Sequence, residues 1–433
     1  MSDKNKADIF ELYAQDPEQA DEIVFGRVSD AGRRGFLKGA GLATMGALLG
    51  ASIPFHRNMP SGLIPAALAE SPFEIQGKDG LTILNDRPVN AETPAHLLDD
   101  EVTPTNRHFV RNNGIPPTDV DPESWKLAVD GHVNKPLELN LHQLRTEFER
   151  QKFNLQLECA GNGRAFFEPK VRGNQWTVGA VACAEWTGVR LRDVLKRAGV
   201  KKSAIYTAHY GADTHLSGDP NKRPISRGVP IDKAMEEHSL IAFEMNGKPI
   251  PPMNGAPLRL VIPGWPASFS QKWLTRIELR DVVHDGAKMT GKAYRLPKNP
   301  IEPGAKVDDK DMVLIESMKV KSLITNPMSG VKIPAKNPVL DVRGHAWAGD
   351  NAVKEMYVSI DFGATWIKAR LDKPKNRYAW QRWNAQVTFP TAGYYEVWAR
   401  ATDDQGNTQP FAIAWNPKGY MNNSMHRIAV YVA

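Results

Sequence analysis

The pattern of apolar and polar positions changes between the middle and the end of the chain. From residue 80 to 300, short apolar runs such as Leu258–Ile262 alternate with short helical candidates such as Leu191–Ala198, which Gly199 stops. This mixture predicts an α+β domain. Residues 296–311 contain three prolines and a glycine among charged residues, which is the composition of a linker.

Residues 312–433 carry a strand pattern instead. The runs Glu355–Ile360 and Tyr394–Arg400 are rich in β-branched and aromatic residues, and their apolar positions alternate with a period of two. Six of the 11 tryptophans lie between residues 347 and 415. Short strands at this spacing predict an all-β immunoglobulin-like sandwich, which without a cysteine in the region has no disulfide between its sheets.

The start of the chain has the features of an export signal. Arg33–Lys38 has the sequence Arg-Arg-Gly-Phe-Leu-Lys, a weakly apolar stretch follows over residues 39–53, and Ala67–Ala69 has the small-x-small form of a cleavage site. The apolar stretch is shorter than the roughly 20 residues that span a bilayer. Residues 1–69 resemble a twin-arginine signal peptide, with a soluble helix that begins with two arginines as the alternative.

That resemblance implies a periplasmic protein with no membrane span in its mature chain. Twin-arginine export moves folded proteins, commonly because they carry a cofactor that was inserted in the cytoplasm. A cofactor is therefore expected.

Composition excludes several kinds of site. The 2 cysteines, Cys159 and Cys183, are too few for a disulfide scaffold, a four-thiolate iron–sulfur site or a cysteine-rich zinc ribbon. Neither lies in a Cys-x-x-Cys-His run, so covalent c-type haem is excluded as well. The net charge of +6 suits anionic small molecules or an acidic protein partner, and it is too small to indicate nucleic acid.

Cys159 lies at the end of an apolar run, directly before a turn of small residues. A lone thiol there is a buried small hydrophobe, a nucleophile that needs a histidine base, or a metal thiolate. Arg164 is five residues further on and would stabilise a thiolate. Gly161 and Gly163 would let the backbone approach a bulky ligand closely.

The run Cys159–Arg164, Cys-Ala-Gly-Asn-Gly-Arg, resembles the molybdenum-binding signature of the sulfite oxidase family. Other landmarks of that family follow in the same order over nearly all of the mature chain. They are His108–Asn113, Trp176, Gly179–Ala180, Trp186–Leu195, Glu244–Gly247, Gly255–Arg259, Pro263–Trp265, Lys272–Leu274, Ser359–Trp366 and Arg400–Asp403.

The resemblance implies an α+β molybdopterin-binding domain over residues 80–300 and an immunoglobulin-like dimerisation domain over 312–433. It implies a molybdenum–molybdopterin cofactor with Cys159 as the thiolate ligand of the metal. Sulfite is a dianion, so fixed cations are required, and arginine matches oxyanions best. The implied catalytic residues are Arg111, Arg164, Arg427, Trp176 and Tyr294, and the implied cofactor-binding residues are Asn113, Asp213, Asn254, Arg259, Ser270 and Lys272.

The sequence departs from the animal members at three of these places. Asn113 and Asn254 stand where histidines are usual, and Gly163 replaces an arginine. Asparagine still donates and accepts hydrogen bonds, so cofactor binding is expected to survive. The absence of this arginine near Cys159 is expected to affect the affinity for the substrate, and not the binding of the cofactor. Cys183 lies outside the motifs and is interpreted as a buried structural thiol.

The implied reaction is oxidation of sulfite to sulfate by oxygen-atom transfer. Animal relatives carry a cytochrome b5 domain, but no His-Pro-Gly-Gly segment of that kind occurs here, so no haem is expected on this chain. Electrons would then pass to a separate c-type cytochrome, and the family's sandwich implies a homodimer. The alternatives are a sulfane dehydrogenase subunit, a methionine sulfoxide reductase, which lacks such a sandwich, and a non-enzymatic exported binding protein with a degenerate site.

Overall fold

A computed structural model of the chain describes residues 73–433, in which Glu74–Ala433 forms one compact unit. The predicted signal peptide at residues 1–69 lies outside the described residues. In the described part, no helix is both long and apolar enough to cross a membrane.

The first half of this unit mixes strands with three short helices. In chain order its elements are β1 Thr82–Asp86, β2 Val89–Glu92, β3 Val110–Arg111, β4 Lys126–Gly131, β5 Leu137–Asn140, α1 Leu141–Thr146, β6 Arg150–Glu158, β7 Val181–Arg190, α2 Leu191–Ala198, β8 Tyr206–Gly211, α3 Ile231–Ala234, β9 Leu240–Met245, β10 Lys248–Pro249, β11 Arg259–Val261, β12 Leu274–Arg280 and β13 Arg295–Pro297.

The second half is built from strands. They are β14 Met312–Leu314, β15 Lys321–Asn326, β16 Val331–Ile333, β17 Val339–Trp347, β18 Val353–Ser359, β19 Ile367–Lys368, β20 Arg370–Leu371, β21 Gln381–Thr388, β22 Gly393–Asp403 and β23 His426–Val432.

Three sheets form the α+β half. Strands β1, β2 and β3 make a small sheet, β10-β9-β7-β6 with β11 on β9 makes a five-stranded sheet, and β5-β4-β12-β8 makes a four-stranded sheet. Helix α2 packs against β7 and β4 and buries Leu191, Val194 and Leu195 in the core shared by the two larger sheets. It ends as predicted, because Gly199 takes the left-handed conformation at φ 70° and its N–H bonds the carbonyl of Leu195.

The central strand β7 determines where Cys159 lies. Strand β6 is paired with it along the whole length of β6, from Arg150 opposite Val189 to Glu158 opposite Val181. Cys159 follows the last paired residue, as the sequence predicted, and its N–H still bonds the Ala180 carbonyl at 2.9 Å. The thiol thus directly follows the buried end of strand β6.

The second half is a two-sheet sandwich, with strand orders β15-β17-β21-β20 and β16-β23-β22-β18-β19. On β22, Val397, Ala399 and Ala401 point into the core between the sheets. The predicted fold class, an α+β molybdopterin-binding part followed by an all-β immunoglobulin-like sandwich, is confirmed.

The segment with linker composition, residues 296–311, has paired ends. Strands β13 and β14 are antiparallel, with Arg295 opposite Leu314 and Pro297 opposite Met312. Because this ribbon has two strands, Pro297 can occupy an edge without breaking a ladder. The proline-rich residues between the strands form the loop of a hairpin.

Candidate active site

The loop that carries Cys159 turns sharply. The Asn162 N–H bonds the Cys159 carbonyl at 2.9 Å, and Gly163 has a positive φ of 95°. A Cβ atom at Gly161 would lie 2.5 Å from the Arg164 guanidinium. Glycine is therefore required at residue 161 for close approach and at residue 163 for backbone conformation.

A buried carboxylate supports this loop from the side of the sandwich. Glu158 accepts hydrogen bonds from Asn162 Nδ2 at 2.9 Å, from Lys321 Nζ at 2.9 Å and from Trp347 Nε1 at 2.7 Å. Lys321 is on β15 and Trp347 is on β17. The residue next to the proposed metal ligand is therefore held by the second half of the chain.

On one side of Cys159 lies a cleft, here called the cationic cleft. Its lining includes Cys159 together with all six residues that the sequence assigned to the cofactor, Asn113, Asp213, Asn254, Arg259, Ser270 and Lys272. They come from separate loops and strand ends of the α+β half, and the fold brings them together. Sequence reasoning did not assign His108 and Gln271, which line the same cleft.

The cleft holds buried cations with few counter-charges. Arg259 is buried, and burial lowers its pKa to about 9. Burial also brings the pKa of Lys272 well below its usual value, with Arg259 adding to the effect. Asp213 is the acidic residue of the lining, and burial raises its pKa to about 6, against the opposing influence of Lys272.

Several buried polar atoms of this cleft have no hydrogen-bond partner within the protein. They are Arg259 Nε, His108 Nε2, Asp213 Oδ1, Gln271 Oε1 and Ser268 Oγ. Buried polar atoms are normally satisfied, so this set indicates a polar ligand that bonds them. Donors, acceptors and excess positive charge together fit a molybdopterin, which has a polar ring system and ends in a phosphate.

On its other side Cys159 faces a second cavity of about 320 Å³, here called the arginine cavity. Four of the predicted catalytic residues line it. Its lining is Cys159, Arg111, Arg164, Arg172, Gly173, Asn174, Trp176, Tyr294, Lys418 and Tyr420. No aspartate or glutamate of the described residues is in this lining, so the cavity is basic.

Arg164 is fixed by backbone carbonyls. Its Nε donates to the Lys418 carbonyl at 2.8 Å and its Nη1 to the Asn174 carbonyl at 2.9 Å. Cβ atoms at Gly173 and Gly419 would lie 3.1 Å and 2.7 Å from the Arg164 side chain. The guanidinium is thus pre-positioned at the cavity with hydrogens left to donate to an anion.

Arg111 and Tyr294 form the boundary between the two cavities. Arg111 Nη2 donates to the Tyr294 hydroxyl at 3.3 Å and to Asn113 Oδ1 at 2.8 Å. Burial by itself would raise the pKa of the Tyr294 phenol, but Arg111 and Lys288 outweigh it and hold that pKa below its usual value. Tyr420 stacks on Tyr294 with 5.4 Å between ring centroids.

Arg427 is the exception among the predicted residues, and its assignment was wrong. It lies on β23, where the neighbouring Ile428 faces the sandwich core, so the Arg427 side chain points outward and is 56% exposed. It forms an ion pair with Glu396 at 3.4 Å and lines a different cavity, beside Phe411. It contributes to neither cavity that contains Cys159.

Two basic residues that sequence reasoning missed lie in the arginine cavity instead. Arg172 is exposed and Lys418 is half-buried. Each directly precedes a glycine with positive φ, Gly173 or Gly419. A basic residue before a glycine in a proline-containing loop was the signal available in the sequence.

Cys183 is fully buried, as interpreted from the sequence. Burial raises the pKa of its thiol to about 12, so it stays protonated and unreactive.

Known proteins resemble this chain along nearly all of its described length. Residues 113–288 match the oxidoreductase molybdopterin binding domain, and residues 312–433 match the Mo-co oxidoreductase dimerisation domain. Sulfite oxidase of Gallus gallus is 33% identical over 359 residues, which are 80% of this chain and 77% of that protein. The chain belongs to the sulfite oxidase family.

Other similarities agree with membership of that family. Mitochondrial sulfite oxidase of Homo sapiens is 32% identical, over 82% of this chain and 66% of that protein. The sulfane dehydrogenase SoxCD from Paracoccus pantotrophus has a similar structure, with a TM-score of 0.68 and 25% identity, over 89% of this chain and 100% of that chain. This family member is therefore a molybdopterin-dependent oxidoreductase, and the cationic cleft fits its cofactor.

Proposed function

We propose that this protein is a periplasmic sulfite dehydrogenase that passes electrons to a separate c-type cytochrome. The observation that carries the proposal is the arginine cavity, where Arg111, Arg164, Arg172 and Lys418 converge beside the Cys159 thiol with no carboxylate in the lining. Such a cavity attracts a small dianionic oxyanion, and planar guanidinium groups bind one with paired hydrogen bonds.

The reaction converts sulfite and water to sulfate, two protons and two electrons. The molybdenum cofactor supplies the oxygen-atom transfer and accepts the electron pair when bound, with Cys159 as its protein thiolate. Arg164 and Arg111 bind and orient the anion. Trp176 is fully buried and forms an apolar wall of the arginine cavity, which keeps water from that side of the cavity. Tyr294 places its hydroxyl beside Arg111, where it can donate a hydrogen bond to the anion.

Metal analysis of the purified protein followed by an assay of sulfite-dependent cytochrome c reduction tests this function. We expect stoichiometric molybdenum and reduction of two cytochromes for each sulfite. Protein that contains molybdenum but reduces cytochrome c with no sulfite dependence would contradict the proposal.

A sulfane dehydrogenase is the second candidate, because the solved SoxCD structure is similar over the whole of its matched chain. That enzyme class oxidises sulfur carried on a partner protein. Molybdenum-loaded protein that is inert with free sulfite but active with a sulfane-bearing carrier protein would favour it.

The export signal and the homodimer belong to the same proposal. The twin-arginine pattern at Arg33–Lys38 supports export to the periplasm, where c-type cytochromes occur. Cell fractionation checks this, since cytoplasmic retention of all the active protein would contradict it. The match of residues 312–433 to a dimerisation domain supports the homodimer.

A further inference from the structure

Lys78 lies in the segment before β1, outside the residues that match the molybdopterin-binding domain. Its ammonium group reaches into the α+β half and donates to the Thr105 carbonyl and to Asn254 Oδ1, both at 2.7 Å. Asn254 lines the cationic cleft. A lysine ammonium has three hydrogens, so one remains for a further acceptor.

The charges around Lys78 are of the same sign. Lys78 and Arg259 are close enough that Arg259 adds to burial in lowering the pKa of Lys78 to about 7, and both cations also act on Lys272. Among the described residues, none of these three cations forms an ion pair with a carboxylate; Asp213 acts on Lys272 from beyond ion-pair distance. Burying unpaired cations costs free energy, so this group is destabilising until an anion joins it.

Unsatisfied atoms lie beside the same group. Arg259 Nε and His108 Nε2 are buried without a hydrogen-bond partner, and His108 Nδ1 is 3.3 Å from the Asn254 amide. Two kinds of observation, excess positive charge and buried polar atoms without a partner, thus coincide around Asn254, the residue of the cleft that Lys78 contacts. A phosphate monoester supplies both the negative charge and the oxygen acceptors that this end lacks.

We propose that Lys78 is a cofactor-binding residue that pairs with the terminal phosphate of the molybdopterin. The amino-terminal segment of the described chain thereby adds a residue to a site whose six sequence-assigned cofactor residues all lie within the matched domain. This goes beyond the proposed function, since it concerns retention of the cofactor and not the substrate.

The proposal predicts different effects of Lys78→Met on the two forms of the full chain. In protein made without the cofactor, relief of the repulsion between cations offsets the loss of the two hydrogen bonds of Lys78, so the melting temperature changes little. In cofactor-loaded protein the same change lowers the melting temperature, and the cofactor dissociates roughly tenfold faster or more, because a charge-assisted hydrogen bond is lost. Molybdenum and pterin released on gel filtration measure the dissociation.

Two further variants control the comparison. Lys78→Arg keeps the charge and donors and should retain the cofactor better than Lys78→Met does. Lys126→Met removes a surface lysine of β4 that is 62% exposed and pairs with Glu138, and it should leave cofactor release unchanged.

Equal melting-temperature losses in the loaded and cofactor-free forms would assign Lys78 a packing role and overturn the proposal. Unchanged cofactor release in Lys78→Met would overturn it as well. Inorganic phosphate gives an independent reading: it should raise the melting temperature of the cofactor-free wild type more than that of cofactor-free Lys78→Met. None of these measurements uses sulfite. They therefore test the role of Lys78 even if the protein does not oxidise sulfite.

Discussion

Arg164 reaches the arginine cavity as a rigid group, because its guanidinium bonds two carbonyl oxygens and packs between glycines. Its plane also lies over the Tyr420 ring, with 5.1 Å from the guanidinium carbon to the centroid. A side chain held in this way loses little conformational entropy when an anion binds. The residue is therefore suited to recognition of the substrate.

Replacing Arg164 by Gln should raise the KM for sulfite by about 10- to 100-fold, since a hydrogen bond to a charged group is worth about 1.5–3 kcal/mol. The change in kcat should be smaller. Steady-state cytochrome c reduction measures both constants, with Arg370→Gln on the surface of the sandwich as the control. An unchanged KM would remove Arg164 from the substrate site.

Cys159→Ser tests the metal ligand. A serine hydroxyl is a poor replacement for a soft thiolate, so we expect activity that depends on molybdenum to fall below detection while the protein stays folded. Circular dichroism and metal analysis separate the two effects. Cys183→Ser changes the other thiol, which is buried away from both cavities, and should keep the metal. A fully active Cys159→Ser variant would refute the ligand assignment.

Single residues differ in how far the sequence predicts their place. The position of Cys159 after a strand was predictable because strand and turn signals are local, and the resemblance grouped six residues that the fold places in one cleft. The outward direction of the Arg427 side chain was not predictable, because on β23 it depends on the register of a sheet in the sandwich. Lys418 reaches the arginine cavity, and Lys78 contacts Asn254, through long-range packing. The glycine after Lys418 was the local signal for that residue, and Lys78 had no such signal.

At the scale of elements, the contact between β6 and the sandwich strands β15 and β17 is the structural support of the site. The carboxylate at the end of β6 is 1% exposed and is paired with Lys321. Burying an ion pair is costly, and breaking one by removing a partner costs more because an uncompensated charge stays behind. The sequence predicted an apolar run that ends at Cys159 and a strand-rich second half, but not that the two meet through Glu158.

Lys321→Met should therefore destabilise the protein by about 3–5 kcal/mol, with a buried carboxylate left unpaired. Adding Glu158→Gln should recover part of that loss, because the amide leaves no buried charge and its oxygen can still accept a hydrogen bond from Trp347 or from Asn162. Urea unfolding of the single and double variants gives the coupling between the two residues. Additive losses would mean that the ion pair is not the cause.

At the scale of the whole molecule, buried histidines make stability depend on pH. Burial lowers the pKa of His209 and of His345 to about 3, and those of His284 and His426 to about 4. Each stays neutral in the folded protein while the unfolded chain takes up a proton near pH 6.5, so stability is lost as the pH falls below that value.

The free energy of unfolding should fall by about 1.4 kcal/mol per pH unit for each such histidine between about pH 6 and pH 4. His345 stacks on Trp380 with 3.9 Å between ring centroids, so His345→Phe keeps a ring there and should reduce this slope. Urea unfolding at several pH values measures it. An unchanged slope in the variant would exclude His345 as a source.

The outer face of the sandwich sheet β16-β23-β22-β18-β19 is where we expect a second copy to bind. Phe362 and Phe411 are 63% and 60% exposed and flank Trp398, and Tyr394 lies on the same face of β22. Residues 312–433 match a dimerisation domain, and exposed aromatic groups of this kind are typical of interfaces.

Phe362→Glu combined with Phe411→Glu should raise the dimer dissociation constant at least about 30-fold, which corresponds to roughly 2 kcal/mol for a central interface residue. Sedimentation velocity measures it. Val283→Glu places the same charge on an exposed apolar position of the α+β half and should leave the dimer intact. An unchanged mass for the double variant would exclude this face.

The support of Glu158 also sets an order of events during synthesis. Lys321 and Trp347 follow Glu158 by 163 and 189 residues, so they leave the ribosome long after the turn that holds Cys159. A nascent chain stopped before Lys321 contains every residue of the cationic cleft and still lacks two of the three donors that fix the strand end beside the thiol. Stable insertion of the cofactor thus belongs after translation of the sandwich, in agreement with the proposed export of a folded protein.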